Sequence, residues 1–366
     1  MVDHDEDTID VRVEEAIDRD ALRTWLAAVV PEIVPAGAQL EVRQFPSGFS
    51  NLTYRVTLRA EDGARAYVLR RPPRGVKAGS AHDVGREHDL LAALHPLGVP
   101  VPRAIARCDR PDVIGAPFYL MEFVDGVILR GAVPSDLPRD ADAASATLAQ
   151  LSHTFVATLS LVHAVDVSSG PLAALGRPEG YVQRQVDGWT RRWHASRTDH
   201  VPDLDRVAHW LAAHRPPDRG ATLIHNDFKF DNLVLDRATM RRVVAILDWE
   251  MATIGDPLMD LGTALAYWVE AGDAPVFKML GLGVTALPGA LSRARVVEAY
   301  GAASSRDVSD AAFYYAFGLF KVAVIAQQIY ARHVQGLTAD PRFATLGTVV
   351  AALGGAAADV TTTRVI

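Results

Sequence analysis

The chain has 366 residues, too many for one ordinary hydrophobic core, and its length points to two lobes. Hydrophobic residues make up 49% and charged residues 22%, and the net charge of −7 comes with no clustered basic run, which argues against a nucleic-acid backbone as partner. One cysteine, Cys108, excludes an intrachain disulfide and fits a reducing compartment; its surroundings are those of a packing or loop residue.

In chain order, an acidic start of about ten residues reads as disordered and lacks the basic head and apolar run of a signal peptide. Residues 17–30 carry Leu22, Trp25, Leu26 and Val29 at helical spacing, stopped by Pro31 and Pro35. From 40 to 71 the pattern turns β-rich, with breaks at Pro46-Ser47-Gly48 and Asp62-Gly63, and predicts an antiparallel meander. A helix over 82–94 follows, then a strand pair ending near Glu122. Beyond Asp125 the long segments are helical: 141–163, 180–194, 204–214, 260–269, 292–300 and 310–333. The pattern predicts an α+β fold of two lobes, 1–124 and 125–366, joined near 122–126. Residues 311–330 and 345–360 are apolar enough to be tested as membrane spans. Lys321 sits inside the first, and the second falls short of the roughly 20 residues a span needs, so both read as buried helices. No membrane partner is expected, and the expected location is the cytoplasm.

The chemistry concentrates between 223 and 262. His225 and Asp227 lie two apart, Asn232 follows that Asp by five, and Asp248 ends an apolar run. Phosphoryl transfer needs a carboxylate to orient or deprotonate the attacking hydroxyl, and oxygen ligands to hold Mg²⁺ on the phosphates. Asp227 suits the first role. Asn232 and Asp248 suit the second, because a hard divalent cation takes carboxylate and amide oxygens. Alone, Asp227 would read as a turn-capping residue and Asn232 as unremarkable; together, at this spacing, the three match a kinase catalytic loop followed by a metal-binding strand end. His225 reads as a residue that orients the loop. Lys229 suits either stabilisation of the transferring phosphoryl group or a surface charge. Asp260, at the positive end of the helix opened by 255–260, reads as a brace for the loop. Trp249 and Trp268 read as core residues.

Two features of the front half fit the same chemistry. Ser47, Gly48, Ser50 and Asn51 lie between two predicted strands, where backbone N–H groups can face phosphates, although a single Gly in a hairpin is ordinarily only a turn. Arg70, at the end of a strand, provides a cation for the phosphates, with Glu87 on the following helix as its partner or as a solvated residue. Arg71 points to the opposite face, and the pattern leaves open which of the two meets the nucleotide.

These residues resemble the aminoglycoside phosphotransferase family, a bilobal protein-kinase-like fold, along nearly the whole chain. LRRPP, PFYLME, HNDFKFDN, and DWE followed by GDPLMDL are similar to the branch whose phosphotransferase domains are fused to acyl-CoA dehydrogenases. The resemblance implies ATP and Mg²⁺ as cofactors, Asp227 as catalytic base, and Asn232 and Asp248 as metal ligands. It gives Arg70 to the phosphates with Glu87 as its partner, and makes 121–124 the inter-lobe hinge, so that Glu122 and Val124 would meet adenine. One departure stands out: Asn226 occupies a position where Gly is commoner, which adds a side chain beside the base.

The acceptor is less marked. Residues 265–335 carry Glu270, Asp273, Glu298, Asp307 and Asp310 against Lys278, Arg293, Arg295, Arg306, Lys321 and Arg332, and Arg184, Arg191, Arg192 and Arg197 lie upstream. That balance is not the acidic face a polycationic aminoglycoside calls for. It favours a neutral or anionic small-molecule hydroxyl, such as a hydroxyacyl-CoA. An aminoglycoside or other antibiotic kinase and a nucleotide-binding scaffold without turnover are the alternatives. A protein kinase is disfavoured, since no DFG or APE segment follows Asp248.

Overall fold

The structure, a computed structural model, describes residues 7–46, 51–61, 63–73, 83–130, 137–138, 140–278, 283–338 and 340–366. The chain forms two compact units. The first takes residues 1–125 together with 244–251; the second takes 126–243 and 252–366.

The first unit is a five-stranded antiparallel sheet in the order β1-β2-β3-β5-β4, with β1 Gln39–Gln44, β2 Leu52–Ala60, β3 Gly63–Arg71, β4 Ala104–Cys108 and β5 Phe118–Glu122. Alternation along β2 and β3 sends Tyr54, Val56, Leu58, Tyr67 and Leu69 into one core. Helix α1, Arg19–Val29, closes that core with Leu22 and Leu26, which are fully buried. Asp18 caps α1 by accepting from the N–H of Ala21. On the sheet's remaining side α2, Val84–Leu94, is capped by Asp83. Of the ten residues at the start expected to be disordered, 1–6 lie outside the described residues, while Ile9 is ordered and pairs with Gln44 on the sheet edge. β8, Val243–Ile246, leads into the segment through Met251 that joins this unit, where the N–H of Ile246 donates to Pro100 O at 2.7 Å.

The second unit is mostly helical: α3 Ala141–His163, α4 Tyr181–Ser196, α5 Pro202–Ala213, α6 Pro257–Ala266, the short α7 Pro275–Lys278, α8 Arg293–Ser304, α9 Ala311–Val334 and α10 Leu346–Thr363. Between α5 and α6 run β6 Thr222–Ile224, β7 Leu233–Leu235 and β9 Thr253–Gly255, with β6 and β9 paired antiparallel. α6 begins three residues before the expected 260, because Asp256 caps it and Pro257 takes the first helical position, where its missing N–H is no loss. α9 runs through the unit, with α6, α4, α5 and α10 packed on it. By length and composition, α9 and the stretch 341–363 ending in α10 are both apolar enough to cross a membrane. The expectation of a buried helix describes α9. α10 instead buries a single stripe, Val349, Val350, Leu353, Gly354, Ala357 and Val360, because its remaining positions are largely small residues that leave little apolar area uncovered.

At the α6–α9 crossing the two backbones come into contact. A Cβ built on Gly318 would lie 2.0 Å from Gly262 O, and one on Gly262 would lie 2.1 Å from Tyr314 O. Only glycine lets the two backbones approach this closely.

Candidate active site

Unit 1 gathers a set of charges around Arg70. Neighbours along β3 face opposite ways, so Arg70 and Arg71 part company. Arg71 is fully buried and donates to Tyr54 Oη, to Ile114 O at 3.0 Å and to Glu15 O at 2.6 Å, tying the N-terminal segment to the sheet. Arg70 forms a buried pair with Glu87 of α2, reaches Asp248 Oδ1 at 3.0 Å and lies 3.5 Å from Glu250 Oε2. Burial works against its charge, but Glu87 and Asp248 outweigh that and hold the guanidinium firmly protonated. Glu87 also accepts from the Trp249 N–H, so the residue after Asp248 is fixed from α2. Asp248 has φ 66°, the left-handed region that Asp and Asn enter more readily than other side chains. Its side chain is 36% exposed, enough to meet a ligand.

The remaining front-half candidates divide. Ser47, Gly48 and Ser50 lie outside the described residues. Asn51 is buried, and its Nδ2 donates to Glu250 Oε2 at 3.0 Å. Glu122 ends β5 with its side chain exposed and its N–H on Arg103 O, and Val124 follows beyond the strand.

Unit 2 holds the loop 225–232 between β6 and β7. Asp227 is the centre of a fan of donors. Lys229 Nζ lies 2.9 Å from Oδ2 and 3.1 Å from Oδ1, and Asn232 Nδ2 donates to Oδ2 at 3.0 Å and to the Asp227 carbonyl at 2.8 Å. Burial first, and then the charge of the nearby Asp227 carboxylate, push the Tyr267 phenol up. Lys229 lies 4.8 Å from the centre of the Tyr267 ring. Burial pulls the Lys229 ammonium down, but Tyr267 and Asp227 more than reverse this and hold it charged. With its amide nitrogen committed to Asp227, Asn232 has its Oδ1 left as the ligand atom for a cation.

The loop is held from beneath. Asp260, fully buried on α6, accepts from the His225 N–H at 2.6 Å, the Asn226 N–H at 2.7 Å and His163 Nε2 at 3.1 Å. Burial alone would raise its carboxyl, yet His163 and the His225 amide hold it below the ordinary value. His163 in turn meets Tyr300 Oη at 2.7 Å. Asn226 has φ 68°, a left-handed backbone that glycine takes freely and that Asn enters more readily than most other side chains. Below the loop, Phe155 packs against Phe228, Phe230 and Trp268 with ring centres 4.7, 5.0 and 5.1 Å away. Trp268 is accordingly a core residue, as is Trp249 in the other unit. A small cleft lined by Leu129, Lys229, Asp231, Tyr267 and Val284 opens beside this cluster.

Sequence reasoning passed over four residues of these networks: Glu250, Tyr267, His163 and Lys321. Tyr267 had a visible signal, since it stands seven residues after Asp260 and so on nearly the same face of one helix. Glu250 sits in the quoted DWE triplet. His163 meets Asp260 across 97 residues, Lys321 meets the loop across 95, and neither left a local mark. The balance of charge over 265–335 also looks different once placed. Arg293 is buried against Glu270 and Asp273, Arg295 pairs with Glu298, and Arg219 from outside that range holds Asp307 and Asp310. Much of the count is internal pairing.

Residues 41–304 match the model of the phosphotransferase enzyme family. Acyl-CoA dehydrogenase family member 11 of Gallus gallus is 35% identical over 90% of this chain and 41% of its own length. Acyl-CoA dehydrogenase family member 10 of Mus musculus is 33% identical over 89% of this chain and 29% of its own. The chain thus spans less than half the length of these relatives. Among solved structures, a protein of Ralstonia eutropha JMP134 provisionally named an aminoglycoside phosphotransferase superposes with a TM-score of 0.77 at 28% identity, covering 95% of this chain and 99% of that one. Choline kinase from Cryptosporidium parvum Iowa II shares the fold at TM-score 0.63 and 11% identity, over 95% of this chain and 97% of its own.

Proposed function

This chain belongs to the phosphotransferase enzyme family, and from that premise we propose that it is an ATP- and Mg²⁺-dependent kinase that phosphorylates a hydroxyl of a small molecule. The observation that carries the reading is the Asp227 carboxylate: 19% exposed, met by Lys229 and Asn232, on a loop that Asp260 grips by two backbone amides.

On this reading Asp227 accepts the acceptor's hydroxyl proton as the oxygen attacks. Its acceptor lone pairs are aligned by the Asn232 amide and the Lys229 ammonium, which restricts where the acceptor's hydroxyl can sit. Lys229 keeps its charge beside the base and is suited to the anionic oxygens of the group in transfer. Arg70, kept protonated by Glu87 and Asp248, is the cation given to the nucleotide phosphates; its planar fork suits phosphate oxygens. When bound, Mg²⁺ would neutralise charge on those phosphates. Its ligands in this reading are Asp248 and Asn232, whose carboxylate and amide oxygens are the donors such a cation prefers. Glu122 and Val124 follow as the backbone for adenine, and a cytoplasmic location accompanies the reading.

For the acceptor we favour a neutral or anionic hydroxyl compound, with hydroxyacyl thioesters first. The names of the relatives in Gallus gallus and Mus musculus, which join this kind of chain to acyl-CoA dehydrogenases, support this more than the charge count does, because much of that charge is paired internally. The test is ATP consumption over a panel of hydroxyacyl-CoAs, amino sugars, macrolides and simple alcohols. Saturable turnover with a hydroxyacyl thioester, its KM rising with salt, is expected. Efficient turnover of an aminoglycoside would overturn the acceptor assignment, and no turnover together with no nucleotide binding would overturn the kinase itself.

A further inference from the structure

Lys321 stands in the middle of α9, between Phe320 and Val322, and is 2% exposed. An ammonium in such a place is costly unless something holds it, and among the described residues no carboxylate pairs with it. Its Nζ donates to Asn226 O at 2.8 Å and lies 3.5 Å from Thr263 Oγ1, with the Trp189 ring centre 5.9 Å away. Burial pulls its pKa down to about 8, and the field of Asp260 and Asp227 keeps it from falling further. It is therefore mainly charged at neutral pH.

The carbonyl it grips belongs to the peptide bond that enters Asp227. The N–H of that same peptide donates to His225 Nδ1 at 3.3 Å. The preceding peptide is held too, since the Asn226 N–H donates to Asp260 Oδ1 at 2.7 Å. Asn226 thus lies between an anion on its amide side and a cation on its carbonyl side, in a backbone region (φ 68°) that a non-glycine residue occupies at some strain. Rotation of the 226–227 peptide would release Lys321 and turn the Asp227 side chain with it. The two grips also share one reference. Asp260 precedes Gly262 by two residues on α6, Lys321 follows Gly318 by three on α9, and the two glycines are the point where these helices touch.

We propose that Lys321 is a positioning residue for phosphoryl transfer: by holding the Asn226 carbonyl it fixes the peptide that aims the Asp227 carboxylate at the acceptor hydroxyl. The proposal rests on the kinase reading, but its structural half stands apart from it. It is tested in the full chain with Lys321→Met, Lys321→Gln and, as a control on the longer contact, Thr263→Val. Lys321→Met should lower kcat by about 10- to 100-fold, the scale of a slight misplacement of a reacting group, with the KM for nucleotide within about twofold of wild type. Its Tm should fall by no more than about 4 °C, because removal of a desolvated charge offsets much of the bond lost at the Asn226 carbonyl. Lys321→Gln, whose amide can still donate to the carbonyl, should recover part of the loss, and Thr263→Val should match wild type. Amide exchange of the peptide covering 223–229 should quicken in Lys321→Met alone. Wild-type kcat in Lys321→Met, or a loss shared equally by kcat, nucleotide binding and Tm, would overturn the proposal. If the wild type turns over no acceptor, the kinase reading is what fails, and unchanged exchange in Lys321→Met would then sink the positioning role as well.

Discussion

Replacing Asp260 by Asn isolates the grip beneath the 225–232 loop. Oδ2 of Asp260 accepts from the His225 N–H and from His163 Nε2, and Oδ1 accepts from the Asn226 N–H. An Asn side chain keeps one acceptor oxygen and must turn its NH₂ toward at least one of these donors. The better of its two orientations keeps the oxygen at the Oδ2 position and strands the Asn226 N–H. A buried donor left unsatisfied costs about 1–3 kcal/mol, and the remaining two bonds lose their charge assistance, so about 2–4 kcal/mol is expected. Urea denaturation of wild type and variant at pH 7 measures it. The pH dependence gives an independent check. The folded carboxyl is held below its ordinary value of 3.8, so its contribution is fully present above that value and is lost as pH falls through the lower, folded one. The gap between the two proteins should be constant from pH 5 to 8 and narrow below about pH 4. A variant within about 0.5 kcal/mol of wild type at pH 7 would refute the assignment of Asp260 as the group that holds the loop.

Asp227→Asn keeps the size of the side chain but not the proton acceptor, so nucleotide binding should survive while turnover falls by about 10²-fold or more; steady-state kinetics with a confirmed acceptor decides it. Millimolar ATP with Mg²⁺ should raise the Tm of the wild type, and Asp248→Ala should remove the magnesium-dependent part of that rise, which thermal shift with and without EDTA reads directly. An unshifted wild-type melting curve would count against nucleotide binding altogether.

The polar cluster of the 225–232 loop was legible because its residues are close in sequence. Asp227, Lys229 and Asn232 fall within six positions, and loop geometry over so short a stretch leaves few arrangements. The strand period likewise separates Arg70 from Arg71, but only placement of Glu87 and Tyr54 shows which face each serves. The helices from 141 onward were readable from their apolar spacing, since burial of one stripe dictates it. What escaped are contacts that couple distant positions. His163 reads as an ordinary helix residue until the end of α3 brings it to Asp260, and Lys321 reads as an interruption in an apolar helix until Asn226 O meets it. The unusual Asn226 was visible as a departure from pattern, but its reason, a left-handed backbone, is a property of the fold.

The glycine crossing of α6 and α9 sets a rule for anyone who redesigns this chain. Each residue added to a helix advances its face by about 100°. One insertion between Gly318 and Lys321 would swing the ammonium to another side of α9 while leaving the helix intact, and one between Asp260 and Gly262 would do the same to the carboxylate. The spacings of two and three are therefore the dimensions to conserve in any graft or loop exchange, ahead of the identity of the apolar residues around them. Positions nearer the C-terminal end of α9, such as exposed Val334, lie beyond that frame and are the natural place to begin varying the helix.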